Sequence, residues 1–262
     1  MSEVVLKSVS DGVAVLTLNR PERLNAWTQE LERAYFGLLG ECADSAEVRV
    51  IVVTGAGRGF CAGADMQELQ GLGEEGPSEE QVESERVAQS YPLTVPKPII
   101  AAINGPCAGI GLVQALMCDL RFVAEDAKLT TAFARRGLVA EHGISWILPR
   151  LVGPSRALDL LLSGRVILGP EAAAMGLVNR VLPREAVLEQ ALSYARELAQ
   201  QCSPSSMATM KRQVYADLDG TLPGALGEAD RLMLRSFGEP DFVEGVSSFL
   251  ERRDPSFAPL SD

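Results

Sequence analysis

The sequence has a single histidine, His142, and none of its five cysteines forms a Cys-x-x-Cys pair, so neither a metal site nor a disulfide framework is indicated. An odd number of thiols fits structural cysteines in a reducing compartment. Long apolar runs are missing as well. No stretch reaches membrane-spanning length, and Met1-Ser-Glu-Val-Val-Leu-Lys7 has no charged-then-apolar leader, which predicts a soluble, cytoplasmic protein. Positive charge is scarce: 24 Lys and Arg stand against 35 Asp and Glu, a formal charge of −11. That balance argues against nucleic acid or an anionic membrane as partner, while a few local arginines can still hold an anionic ligand. The phosphate loop Gly-x-x-x-x-Gly-Lys-Ser/Thr and the hydrolase elbow Gly-x-Ser-x-Gly do not occur. Gly55-Ala-Gly-Arg-Gly59 lacks the third glycine of a dinucleotide fingerprint, because Phe60 stands there.

What is present is globular. A chain of 262 residues, 47% hydrophobic and 23% charged, can bury a full core as one domain with or without a smaller appendage. Glu3 to Val9 and Val13 to Leu18 read as antiparallel strands around the hairpin signal Asp11-Gly12. Leu31, Tyr35, Leu38 and Leu39 predict a helix from Thr28 to about Gly40, and Val48 to Val53 a central strand. The acidic, Gly-containing tract from Gly71 to Glu80 reads as a mobile surface segment able to act as a lid, followed by a helix over Glu80 to Ser90. Short strands are expected at Leu120 to Ala124, Lys128 to Thr131 and Gly176 to Leu182, and helices at Leu151 to Ser163 and Glu171 to Met175. Ala132 to Trp146 reads as a loop and helix start. Beyond Pro183 the pattern is helical throughout, which predicts an α/β core over 1–195 and a helical C-terminal region over 196–262 that packs on another subunit.

The most informative stretch runs from Lys97 to Asp119. It reads as a buried strand, a turn of small residues from Asn104 to Gly111 and an apolar helix, so unpaired N–H groups gather at a helix start. Val50 to Gly55 leads into Cys61-Ala-Gly-Ala64 just as Ile99 to Gly105 leads into Cys107-Ala-Gly-Ile110. Two such turns can be simple packing, or they can aim two N–H groups at one oxygen on which negative charge develops.

Arg20-Pro-Glu-Arg-Leu-Asn-Ala26, Gly57 to Asp65, Pro98 to Gly111, Cys118-Asp119 and the tail Phe242 to Arg253 together resemble the crotonase, or enoyl-CoA hydratase/isomerase, family over nearly the whole chain. The resemblance implies a core of repeated ββα turns, a C-terminal region that forms a homotrimer or a dimer of trimers, and a coenzyme A thioester as substrate, with no permanently bound cofactor and a role in fatty-acid or related metabolism. It places Ala64 and Ile110 as the oxyanion donors. It also places Arg23, Leu24 and Ala26 beside the nucleotide of coenzyme A, Ala62, Asp65 and Met66 along the adenine and pantetheine, and Phe257 at the adenine. Ala258-Pro259 stands where a lysine for the ribose phosphate is often found.

The family's hydratases use two glutamates, and the matching positions here are Val113 and Phe133. Neither side chain can move a proton. Glu141, in Gly137-Leu-Val-Ala-Glu-His-Gly143, is the remaining acid, at a position where isomerases carry one beside the substrate. One carboxylate suffices to take a proton from one carbon and return it to another, and Phe133, Val113 and Trp146 would keep it dry. An isomerase is therefore expected. The alternatives are an atypical hydratase (a lyase) using Glu141, and an acyl-CoA binding protein without catalysis. Glu141 could instead cap the following helix, with His142 an ordinary half-buried residue.

Overall fold

The computed structural model describes residues 3–71 and 89–260. Apart from their ends, the tract at 71–80 and the helix expected over 80–90 lie outside them.

Strands β1 (Val5–Ser10) and β2 (Val13–Leu18) form the expected hairpin, paired from Val5↔Leu18 to Ser10↔Val13. Asp11 and Gly12 both turn at positive φ, 53° and 76°, the conformation that suits a two-residue hairpin loop. Helix α1 (Gln29–Asp44) follows, its start capped by the Thr28 side chain, which accepts from Leu31 N at 3.2 Å. The helix passes Gly40, where it was expected to end. Its last turn buries Cys42, and buried Lys97 donates to the carbonyls of Cys42 and Ser45 at 2.7 and 2.6 Å, satisfying the C-terminal end.

Strand β3 (Val50–Gly55) pairs in parallel with β2, and β4 (Ile99–Ile103) with β3. Every residue of β3 and β4 is buried, as the continuous Val and Ile runs require of central parallel strands covered on both faces. Between them lies α2 (Met66–Gly71). After β4 come the two-residue strand β5 (Cys107–Ala108), the wholly buried helix α3 (Ile110–Met117), β6 (Leu120–Ala124) and β7 (Leu129–Thr130). β5 pairs with β7 in a small second sheet. The segment expected to be one helix over 151–163 is two, α4 (Ile144–Val152) and α5 (Pro154–Ser163), because Gly153 turns at φ 80° and Pro154 opens the second. After α6 (Gly169–Met175), Gly176 at φ 82° ends the helix, so strand β8 is confined to Arg180–Leu182. The main sheet has the order β1-β2-β3-β4-β6-β8, parallel from β2 onward.

Helix α7 (Val187–Gln201) lies against the sheet with Val187, Ala191, Ala195 and Ala199 buried at helical spacing, so the boundary expected between 195 and 196 falls inside it. Helices α8 (Pro204–Asp217), α9 (Leu222–Ser236) and α10 (Pro240–Glu251) complete the chain. One half-buried carboxylate ties α8 to the core: Asp119 accepts from Lys211 Nζ at 2.8 Å, Tyr215 OH at 3.0 Å and Ile99 N at 2.7 Å. Beside it Arg121 closes the end of α3, its guanidinium donating to the carbonyls of Cys118 (2.6 Å) and Leu116 (3.4 Å) and, across the junction, of Leu177 (2.8 Å). Helices α9 and α10 leave Leu222, Leu234, Phe249 and Leu250 largely exposed. Among the described residues no helix is long and apolar enough to cross a membrane.

Candidate active site

The two Cys-Ala-Gly turns run side by side. Cys61 and Cys107 are partners in a parallel bridge, Ala108 N donates to Cys61 O at 2.9 Å, and Phe60 N and Cys61 N both donate to Pro106 O at 3.1 and 3.2 Å. Gly109 N is taken by Thr130 O at 3.1 Å. Gly63 turns at φ 103° and Gly109 at φ 51°, and the two are in contact: a Cβ on Gly109 would lie 3.8 Å from Gly63 Cα. The next N–H on each turn belongs to Ala64 and to Ile110. Trp27 N bonds Gly63 O at 2.8 Å and Asp65 N bonds Trp27 O at 2.9 Å, so Ala64 is held from both sides while its own N–H meets no backbone acceptor among the described residues. Ile110 is the first residue of α3, where the N–H has no carbonyl a turn earlier to meet. Ala64 is exposed and Ile110 buried, so the two donors share one open side and one dry wall.

Two asparagines hold the loop behind this pair. Asn25, fully buried at φ 56°, donates to Ala56 O (3.0 Å) and Gly59 O (2.8 Å) and accepts from Arg20 N (2.8 Å). Asn104 donates to Gly55 O (2.9 Å) and Gly57 O (3.1 Å). Sequence reasoning passed over both as site residues. The signal the sequence offers is an asparagine at a loop position, in Leu24-Asn25-Ala26 and in Ile103-Asn104-Gly105.

Of the residues expected beside coenzyme A, most gather at one edge of these turns. Leu24 O accepts from Ala62 N at 3.0 Å, and Arg20 reaches from Ala26 O (2.5 Å) to the Asp65 carboxylate (2.9 Å). Asp65 also accepts from Gln67 N at 3.0 Å at the start of α2, and these two bonds hold its carboxyl below the usual range, the N–H contributing most. Its carboxylate is thus already occupied. Met66 is half exposed, and Arg23 and Arg58 are exposed without an ion-pair partner among the described residues. Phe257 lies elsewhere. Its carbonyl accepts from Arg49 Nη2 at 2.6 Å near Gly12, at the N-terminal ends of β2 and β3, while Ala64 follows the C-terminal end of β3. Within one chain it is not brought to the other site residues.

The positions matching the two family glutamates are apolar and dry: Val113 is fully buried on α3 and Phe133 is buried. Glu141 sits on the loop opposite, which packs on α3; a Cβ on Gly143 would lie 3.3 Å from Met117 Cε, one turn along from Val113. The carboxylate is about one-third exposed and 3.5 Å from His142 Nε2. His142 and Gly143 are both left-handed, φ 56° and 79°, which folds the loop sharply before α4. The first turn of α4 takes the carbonyl of Glu141 (from Ile144 N, 3.1 Å), with Gly143 in the capping position. No group of three metal-ligating side chains occurs among the described residues.

The arrangement brings together two N–H groups without backbone acceptors on adjoining turns, buried apolar side chains at Val113 and Phe133, a carboxylate on the loop that packs on α3, and exposed arginines at 23 and 58. A sequence model described as enoyl-CoA hydratase/isomerase matches residues 8–259. The chain is 37% identical over 268 residues to the 1,2-epoxyphenylacetyl-CoA isomerase of Escherichia coli (strain K12), covering 98% of this chain and 99% of that protein. It is 37% identical to a probable enoyl-CoA hydratase of Rhodobacter capsulatus, covering 95% of each. Among solved structures, an enoyl-CoA hydratase from Mycobacterium marinum is 49% identical with a TM-score of 0.71 over 83% of this chain and 99% of that one. An enoyl-CoA hydratase from Polaromonas sp. JS666 is 31% identical with a TM-score of 0.90 over 97% and 99%.

Proposed function

The chain belongs to the enoyl-CoA hydratase/isomerase family, and from that premise we propose that it is an isomerase that moves a double bond within an acyl-coenzyme A thioester. What supports this reading is two N–H groups on adjoining turns, Ala64 and Ile110, that meet no backbone acceptor among the described residues, with Glu141 on the loop that packs on α3 and Val113 and Phe133 where a hydratase needs acids. The thioester oxygen accepts from both N–H groups. Glu141 takes a proton from C2 of a 3-enoyl-CoA, the C–H electron pair moves into the carbonyl as an enolate, and the two donors stabilise its negative charge. The same carboxyl returns the proton at C4, leaving a 2-enoyl-CoA. No water enters, which suits the apolar wall. The relative named an isomerase supports the reading.

Arg23 and Arg58 are suited to the phosphates of coenzyme A, and Leu24, Ala26, Ala62, Asp65 and Met66 to its adenine and pantetheine. Phe257 serves the adenine from a neighbouring subunit, since within its own chain it is remote. The exposed apolar residues of α9 and α10 are covered in a homotrimer or a dimer of trimers. Relatives named hydratases favour a second reading, in which Glu141 both activates water and delivers the proton.

A panel of 2-enoyl, 3-enoyl and 3-hydroxyacyl thioesters tests both. Turnover of 3-enoyl-CoA with deuterium entering from solvent, lost in Glu141→Gln by a hundredfold or more, is the expected result. Full turnover by that variant overturns the role of Glu141. Hydration of 2-enoyl-CoA as the faster reaction favours the second reading. Tight binding without any turnover would make the protein an acyl-CoA binder.

A further inference from the structure

A chain of hydrogen bonds crosses from α1 to α3 behind the oxyanion pair. Trp27 Nε1 and Gln89 Nε2 both donate to Glu32 Oε2 at 2.9 Å, and Gln114 Nε2 donates to Gln89 Oε1 at 2.6 Å. The directions are set by the ends. An indole only donates and a carboxylate only accepts, so Gln89 must turn its amide nitrogen to Glu32 and its oxygen to Gln114. Gln114 must then give its nitrogen to Gln89 and point its oxygen away. That oxygen, Oε1, is buried and has no partner among the described residues, although the residue is only 3% exposed. A flipped amide would not relieve it, since two oxygens would then face each other. Tyr35, three residues along α1 from Glu32 and so on the same helix face, carries a second buried oxygen without a partner among the described residues.

Gln114 is four residues after Ile110 in α3. It therefore shares the face of Ile110, about 6 Å farther along the axis, and its side chain leans back toward the helix start. About five carbons of an extended acyl chain span that length. Its neighbours on the helix, Val113 and Met117, are apolar.

We propose that Gln114 Oε1 accepts a hydrogen bond from a hydroxyl on the acyl group, so that this protein selects acyl-CoA thioesters hydroxylated near the fifth carbon. The inference rests on the acyl-CoA reading above, with the thioester oxygen at Ile110. A site built to bond a substrate hydroxyl rejects the analogue that lacks it, because the buried acceptor stays unpaired.

Calorimetric binding of hexanoyl-CoA, 5-hydroxyhexanoyl-CoA and 5-oxohexanoyl-CoA, none of which needs turnover, separates the outcomes. The wild type should bind the hydroxy compound at least tenfold more tightly than hexanoyl-CoA, and the oxo compound, which cannot donate, no better. In Gln114→Leu the preference should fall to about one. Glu32→Gln gives a second test that keeps the packing: its amide oxygen can accept from both Trp27 and Gln89 as the carboxylate oxygen does, so the chain keeps its direction and the preference for the hydroxy compound should be unchanged. Equal binding of all three by the wild type, or an unchanged preference in Gln114→Leu, overturns the proposal. Failure of every thioester to bind overturns the acyl-CoA reading and this proposal with it.

Discussion

Gly111 and Cys61 touch so closely that a Cβ on the glycine would lie 2.5 Å from the Cys61 carbonyl oxygen and 2.7 Å from its Sγ. The contact joins the first turn of α3 to the other Cys-Ala-Gly segment. Gly111→Ala should therefore force the two turns apart, lowering stability by about 1–3 kcal/mol and activity by far more than stability. Gly37 in α1 has open space around its Cβ position. Gly37→Ala should raise stability by about 0.5–1 kcal/mol and leave turnover alone. Chemical denaturation and steady-state kinetics on both variants check the pair.

The Arg20–Asp65 ion pair should make stability fall in acid. The Asp65 carboxyl is held below its ordinary value of about 3.9, so its contribution is fully present above that pH and is lost as pH falls through the lower folded value. Asp65→Asn should melt lower than the wild type at pH 7, by the equivalent of about 2 kcal/mol, and the gap should narrow toward pH 3. Melting curves across that range decide it.

The thiols beneath the turns should be inert in the folded protein. Burial pushes the Cys61 and Cys118 thiols up to about 12 and Cys107 well above its ordinary value, and Cys42 is buried as well. Alkylation at pH 8 followed by mass spectrometry should label Cys202 alone, and slowly, whereas unfolding should expose all five.

Sedimentation at micromolar concentration should show three or six chains. Phe249→Glu with Leu250→Glu, both outward on α10, should shift the protein toward monomer. A monomer in the wild type would rule out the assembly.

Much of this fold was legible where one local rule decides: Asp11-Gly12 for the hairpin, Thr28 for a helix start, β-branched runs for β3 and β4. Local rules failed where tertiary burial decides. Gly40 did not end α1, because Cys42 and the Lys97 cap hold the next turn. The Gly153-Pro154 break was written in the sequence and was overlooked beneath a helical apolar pattern. The duplicated turns pointed to Ala64 and Ile110 as candidates, but Asn25 and Asn104 bind loops 30 to 50 residues away, and no spacing rule reaches that far. The chain through Trp27, Glu32, Gln89 and Gln114 joins three separate segments, so only folding reveals it.

Arg121 grips the far end of α3 through the carbonyls of Leu116 and Cys118 and joins it to the carbonyl of Leu177. An eight-residue helix is about 12 Å long and behaves as a lever with its fulcrum at that buried end. A tilt of about two degrees would carry the Ile110 N–H roughly 0.4 Å, close to the whole tolerance of a working site, about 0.5 Å. The aim of the proposed oxyanion donor therefore depends on the opposite end of the helix as well as on the Gly111–Cys61 contact beside it.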